Sequence, residues 1–132
     1  MKLKNFVQGE WVEGQGDGKP LVNAATGEEI ATATTEGIDY KSVLDYARQK
    51  GGPQLRKMTF HERGRAMKAL AKYLDERKKA YYPLSYATGA TKRDSWPDID
   101  GGISTVFVLA SKARRELPDK PFLVDGHEEM LS

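Results

Sequence analysis

The chain contains no cysteine in 132 residues. That removes disulfides, thiolate metal sites and cysteine nucleophiles together, whatever the compartment. No run approaches the roughly 20 apolar residues needed to span a bilayer. The start, Met1-Lys2-Leu3-Lys4-Asn5-Phe6, is basic without a following apolar stretch and does not read as a signal peptide. A cytoplasmic protein with no membrane partner is expected. Aromatic residues are scarce at 9%, against 39% hydrophobic and 30% charged residues. This balance permits one modest core and leaves some segments short of the apolar surface they need to fold without a partner.

The net charge of +2 conceals three zones. Residues 1–40 carry 3 basic against 7 acidic side chains, residues 41–93 carry 14 against 4, and residues 94–132 carry 4 against 8. The basic middle contains Arg56-Lys57, Arg63-x-Arg65-x-x-Lys68 and Arg77-Lys78-Lys79. Such clusters suit nucleic acid, an acidic ligand such as a coenzyme A phosphate, or an acidic neighbour, and they equally suit a solvated helix face.

Local patterns give an α+β chain, with a strand arm over 1–36, a helical part of about three helices over 37–117, and a strand or tail over 118–132. Phe6, Val7, Trp11 and Val12 around Gly9-Glu10 predict a hairpin with a tight turn. Gly14 to Pro20 interrupts regular structure, Leu21-Val22-Asn23 resumes a strand, Asn23 to Gly27 supplies turn residues, and Ile30 to Thr35 favours an extended run. Asp39 is placed to cap a first helix running to about Lys50, which Gly51-Gly52-Pro53 should stop, with Ile38 stapled onto Val43. Thr59-Phe60-His61-Glu62 is a capping box, and Ala66, Met67, Leu70, Ala71 and Leu74 follow at the spacing of a buried stripe. Pro83 marks a kink or a new segment, Leu84 to Thr88, ending at Gly89. Ile99, Ile103, Val106, Phe107, Ala110 and Leu117 fit a third helical face. Ile103 to Leu109 is also rich in β-branched residues, but the length of the pattern favours helix until Leu117-Pro118. Pro121 to Asp125 suits one strand, and Gly126 to Ser132 an unpaired tail.

Patterns that could carry chemistry mostly fail on spacing. Gly14-x-Gly16-x-Gly18-Lys19 lacks both the first glycine and the final hydroxyl of a phosphate loop, with Glu13 and Pro20 in those places, and lacks the third glycine of a dinucleotide loop. Asp94, Asp98 and Asp100 do not match a calcium loop, because aligning Gly101 with the loop glycine puts Trp96 and Phe107 at ligand positions; they read as acids near a helix N-terminus. His61 and His127 have no ligand or base spacing. Ser95 and Ser104 sit in no nucleophile motif. Tyr73, Tyr81, Tyr82 and Tyr86 lie near basic residues but are spaced for packing along a helix rather than for stacking on bases, so no nucleic-acid partner is expected.

Phe6-Val7-Gln8-Gly9-Glu10-Trp11-Val12 followed by Leu21-Val22-Asn23-Ala24-Ala25-Thr26-Gly27-Glu28 resembles the opening of aldehyde dehydrogenases. Thr59-Phe60-x-Glu62-Arg63 resembles the family's S/T-x-x-E-R helix start, and Ala87-Thr88-Gly89 falls where the family has a threonine or asparagine before Gly-Lys. Lys50 to Phe60 and Thr88 to Gly102 are similar to the dehydrogenase part of the bifunctional ring-opening enzymes of phenylacetate breakdown. Ala24 replaces the usual proline of the N-P-x-T-G-E turn, and Ala90 replaces the lysine of Gly-Lys, as in the phenylacetate-type branch.

The resemblance implies a partial piece of the α/β aldehyde dehydrogenase fold. It implies an enzyme whose thiolate attacks a coenzyme A-linked semialdehyde, with hydride passing to NAD or NADP and a thioester hydrolysed by glutamate-activated water. It implies homo-oligomers as well. No catalytic, cofactor-binding or metal-binding residue can be placed on this chain, because the family's reacting groups lie after the point aligned with Ser132. The expectation is therefore the N-terminal part of such an enzyme, inactive and without cofactor alone and completed by the remainder of the fold. The alternatives are a non-catalytic interaction module or one half of a split enzyme.

Overall fold

The Phe6-to-Val12 stretch folds as an antiparallel hairpin of β1 (Lys4–Val7) and β2 (Glu10–Glu13), with Phe6 opposite Trp11. The computed structural model describes residues 1–124. The turn lies at Gln8 and Gly9, one position earlier than the Gly9-Glu10 pair suggests. Both have left-handed backbones, at φ 55° and 91°, the pattern that matches the twist of two paired strands. Gln8 holds this position while its Nε2 donates to Ser42 Oγ at 3.0 Å.

A second hairpin pairs β3 (Lys19–Val22) with β4 (Glu29–Ala33), with a bulge between Leu21 and Val22. β3 begins earlier than Leu21 and takes in Pro20. The ladder tolerates the proline because β3 has one partner strand, so the missing donor need not face another. The intervening loop is closed by Asn23, whose Oδ1 accepts from the amides of Ala25 and Thr26 at 2.9 and 3.3 Å. Gly27 then turns at φ 75°.

Helix α1 (Tyr40–Tyr46) starts as expected, with Asp39 accepting from the amides of Lys41 and Ser42. It does not stop at Gly51-Gly52-Pro53. A wide turn over Ala47–Gly51 carries it into α2 (Gly52–Lys57), with both glycines right-handed and the Gly52 amide donating to Ala47 O, five residues back. The wider register relieves the clash a proline ring makes with the carbonyl four residues behind it, so Pro53 enters as a first-turn residue and not as a terminator.

α3 (Phe60–Arg77) opens on a complete capping box: Glu62 N donates to Thr59 Oγ1 at 3.1 Å and Thr59 N to Glu62 Oε2 at 2.8 Å. Of the expected buried stripe only Ala71 is fully inside and Leu74 half-buried. Ala66, Met67 and Leu70 are exposed. The reason is the partner helix, α6 (Gly102–Glu116), which approaches at Gly64: a Cβ there would lie 3.0 Å from the Ala110 carbonyl and 3.4 Å from the Ala113 methyl. Close packing through Gly64, Ala71 and Ala110 makes a narrow seam, and the larger apolar side chains fall beside it.

Between them lie α4 (Tyr82–Ala87), with Pro83 in its first turn, and α5 (Lys92–Trp96), capped by Thr91. Gly89 follows α4 at φ 87°. α5 runs through a second wide turn, Pro97–Gly101, into α6. The β-branched stretch of α6 is helical because Ile103 and Ala110 are buried in the seam, and packing outweighs strand propensity. Leu117 ends the helix in an extended conformation. Residues 122–124 form no strand. Before them the chain lies across the start of α3, where the Phe60 amide donates to Lys120 O at 3.0 Å. Asp125 and the 126–132 tail lie outside the described residues.

Candidate functional site

Three pairs show that α3 and α6 run antiparallel: His61 meets Leu117, Gly64 meets Ala110, and Lys78 meets Asp100. Because the seam is made of small residues, long side chains rise on either side of it. One flank forms an open groove of about 700 Å³ whose lining includes Arg65, Lys68, Phe107, Ser111, Arg114 and Arg115. No carboxylate lines it. Among the described residues none of the four cations has a carboxylate oxygen within 4.0 Å. Like charges gathered without counter-charges repel one another, and an anion seated between them relieves that repulsion. Guanidinium forks and an ammonium over a partly apolar floor are suited to phosphate or carboxylate groups.

His61 edges this groove but is already engaged. Its Nε2–H donates to Leu117 O at 2.9 Å, and its Nδ1 lies 3.6 Å from Asp119 Oδ2. It fastens the segment after α6 to the start of α3, the structural role. His127 lies outside the described residues.

At the other end of the pair is a second cluster. Asp100, 17% exposed at its side chain, accepts from Lys78 Nζ at 2.7 Å and from Tyr82 Oη at 2.5 Å, and Lys78 also meets Asp75 at 3.0 Å. The Lys78 bond, then the Tyr82 bond, holds the Asp100 carboxyl below its ordinary range. Asp100, then Asp75, holds Lys78 above its own, and the bond to Asp100 raises Tyr82. The three groups clasp α3, α4 and the entry to α6. Sequence reading separates them, with Lys78 in a basic run, Tyr82 as packing and Asp100 as a helix-start acid. No local spacing links residues 18 and 22 apart across three helices.

The remaining sequence candidates disperse. Ser95 is fully buried, donating to Thr91 O at 2.9 Å and accepting from Ser85 Oγ at 2.8 Å, while Ser104 is exposed on α6. The Gly14-to-Gly18 loop is pinned, since Gln15 N donates to Glu36 O, Thr34 Oγ1 to Gln15 O, and Lys2 Nζ to Gly16 O. Tyr73 lies under the Arg77 guanidinium at 3.7 Å, and Tyr82 is tilted against Tyr86 at 6.0 Å. Among the described residues no group of three acidic, histidine or cysteine side chains could hold a metal, and no helix is long and apolar enough to cross a membrane. Arg114 and Arg115, in the last turn of α6, are the groove residues that local pattern does not reveal.

The aldehyde dehydrogenase family matches residues 11–131 of this chain. A relative, the 3,4-dehydroadipyl-CoA semialdehyde dehydrogenase of Aromatoleum evansii, is 39% identical over 116 residues, which cover 86% of this chain and 22% of the relative. The chain thus spans about a fifth of the length of that relative. With the match running through the second hairpin and all six helices, the chain belongs to the aldehyde dehydrogenase family.

Proposed function

We propose that this chain is the N-terminal part of an NAD(P)-dependent aldehyde dehydrogenase that oxidises a coenzyme A-linked semialdehyde in phenylacetate catabolism, and that the α3–α6 groove receives phosphate groups of the coenzyme A moiety. The observation that carries the reading is the groove itself, where Arg65, Lys68, Arg114 and Arg115 converge without a carboxylate. The name of the relative, a CoA semialdehyde dehydrogenase, supports it. In this reading the chain binds and orients. The nucleophilic thiolate cannot come from a sequence without cysteine, so the chain alone oxidises no aldehyde and is completed by the remainder of a cytoplasmic, oligomeric enzyme.

Calorimetric titration of the chain with coenzyme A, dephospho-coenzyme A and buffer alone tests the groove. Coenzyme A should bind more tightly than the form lacking the 3′-phosphate, and K68E/R114E should weaken it at least tenfold. Equal binding of both ligands, unaffected by the substitutions, would remove the groove from the reading. Reduction of NADP with an aldehyde by the purified chain would remove its inactivity.

A further inference from the structure

The buried apolar side chains among the described residues are Ala31, Ala71, Ile103 and Ala110, while Trp11, Leu70 and Leu109 are 68%, 46% and 59% exposed. The accessible surface is 10416 Å². A compact chain of 14.7 kDa exposes about 6,900 Å². Eight residues beyond the described part contribute at most about 1,300 Å² even when fully extended. An excess of about 2,000 Å² therefore belongs to the described part, the amount one partner contributes to a large obligate interface.

Helical spacing locates part of it. At 100° per residue, the groove residues Lys68 and Arg65 fall on one flank of the α3 seam, and Met67, Leu70 and Leu74 on the other. On α6 the same division separates Ser111 and Arg115 from Val106 and Leu109. The helix pair thus gathers four cations without a carboxylate on one side, and exposes Met67, Leu70 and Leu109 on the opposite one.

We infer that the apolar flank built by Met67, Leu70, Leu74, Val106 and Leu109 is a docking surface for the remaining dehydrogenase polypeptide, the larger share of the relative that this chain does not span. The inference rests on the family reading and adds which face is covered and which stays open. A second copy of the chain fits less well. A two-fold interface needs one self-complementary patch, whereas exposed apolar residues also occur on the first hairpin, at Phe6 and Trp11, and on α1, at Tyr40 and Leu44. That distribution suits a larger body against which several elements lie.

Co-expression of the full chain with a tagged downstream portion of the Aromatoleum evansii relative tests this. One-to-one capture is expected, reduced at least tenfold by L70E/L109E and unchanged by K68E/R114E. Both sets change exposed side chains, so circular dichroism should confirm that each variant folds. A homodimer of the chain broken by L70E/L109E would assign the flank to a second copy and overturn the inference. Absence of capture, or capture indifferent to L70E/L109E, would overturn it too. Capture without coenzyme A binding would discard only the groove reading, and coenzyme A binding without capture only the docking surface.

Discussion

The backbone N–H of Ala24 donates to the carbonyl of Ala87 at 2.8 Å, joining the loop between β3 and β4 to the end of α4. The family's usual residue at this place in the N-P-x-T-G-E turn is proline, which has no N–H to give. Alanine here is therefore more than the loss of a rigid turn former. It supplies the donor that ties the second hairpin to the helices, beside Gly89, whose added Cβ would lie 3.5 Å from the Ala24 methyl.

Ala24→Pro sets two effects of similar size against each other. A proline restricts the unfolded chain and can contribute roughly 0.4–1 kcal/mol. Loss of the bond costs about 1 kcal/mol, and more if the Ala87 carbonyl finds no water. Net destabilisation of up to about 1 kcal/mol is expected, read as a lower urea midpoint with unchanged slope. A raised midpoint would mean that the restriction outweighs the bond.

Gly64 and Gly102 are both helical and should respond in opposite directions to alanine. At Gly102 an added Cβ has nothing within 4 Å, so the gain in helix propensity, up to about 1 kcal/mol, should appear as added stability. At Gly64 the same gain meets the Ala110 carbonyl at 3.0 Å. Backbone cannot rotate away as a side chain can, and overpacking of this kind costs roughly 1–3 kcal/mol. Gly64→Ala should lower the thermal midpoint and Gly102→Ala raise it; equal shifts would show that the seam opens without cost.

The Asp100 clasp predicts a stability profile with two edges. Asp100 lies below its ordinary 3.8, so its contribution is full above about pH 4 and is lost as pH falls through the lowered value. Lys78 and Tyr82 lie above their ordinary 10.5 and 10.0. Their contributions are full below about pH 10 and are lost as pH rises through the raised values. The difference in urea midpoint between the wild-type chain and Asp100→Asn should be greatest and flat from about pH 4 to 10, narrowing on both sides. A difference independent of pH would show that the asparagine acts only through packing.

How much of this was legible in the sequence depended on distance along the chain. The capping box at Thr59, the cap at Asp39, the Asn23 turn and the entry of Pro83 are decided within four residues, and each formed as its residues require. Gly51-Gly52-Pro53 misled because two glycines and a proline ordinarily end a helix, and the wide turn that accommodates them has no sequence signature of its own. The Met67–Leu70 stripe misled for a different reason. Periodicity finds an apolar face, but the seam follows Gly64 and Ala71, whose small size lets α6 come close. Arg65 and Lys68 stood out as part of a basic cluster, but Arg114 and Arg115 did not, since they lie on a helix whose antiparallel pairing with α3 only the fold supplies.

That groove should bind anions by charge and shape in separable proportions. Its cations are open to water, so their attraction is screened over roughly 8 Å at 0.15 M ionic strength, and raising salt from 50 to 500 mM should weaken coenzyme A binding by about tenfold or more. Arg114→Lys keeps the charge but loses the planar fork, so it should lower affinity while leaving the salt dependence intact. Arg114→Glu should flatten that dependence as well. Phe107→Ala removes apolar floor without touching charge, so its loss should be the same at both salt concentrations. One salt dependence common to the wild-type chain and all three variants would mean that the anion is held by a diffuse basic surface, and the groove would then have no part in recognising the ligand.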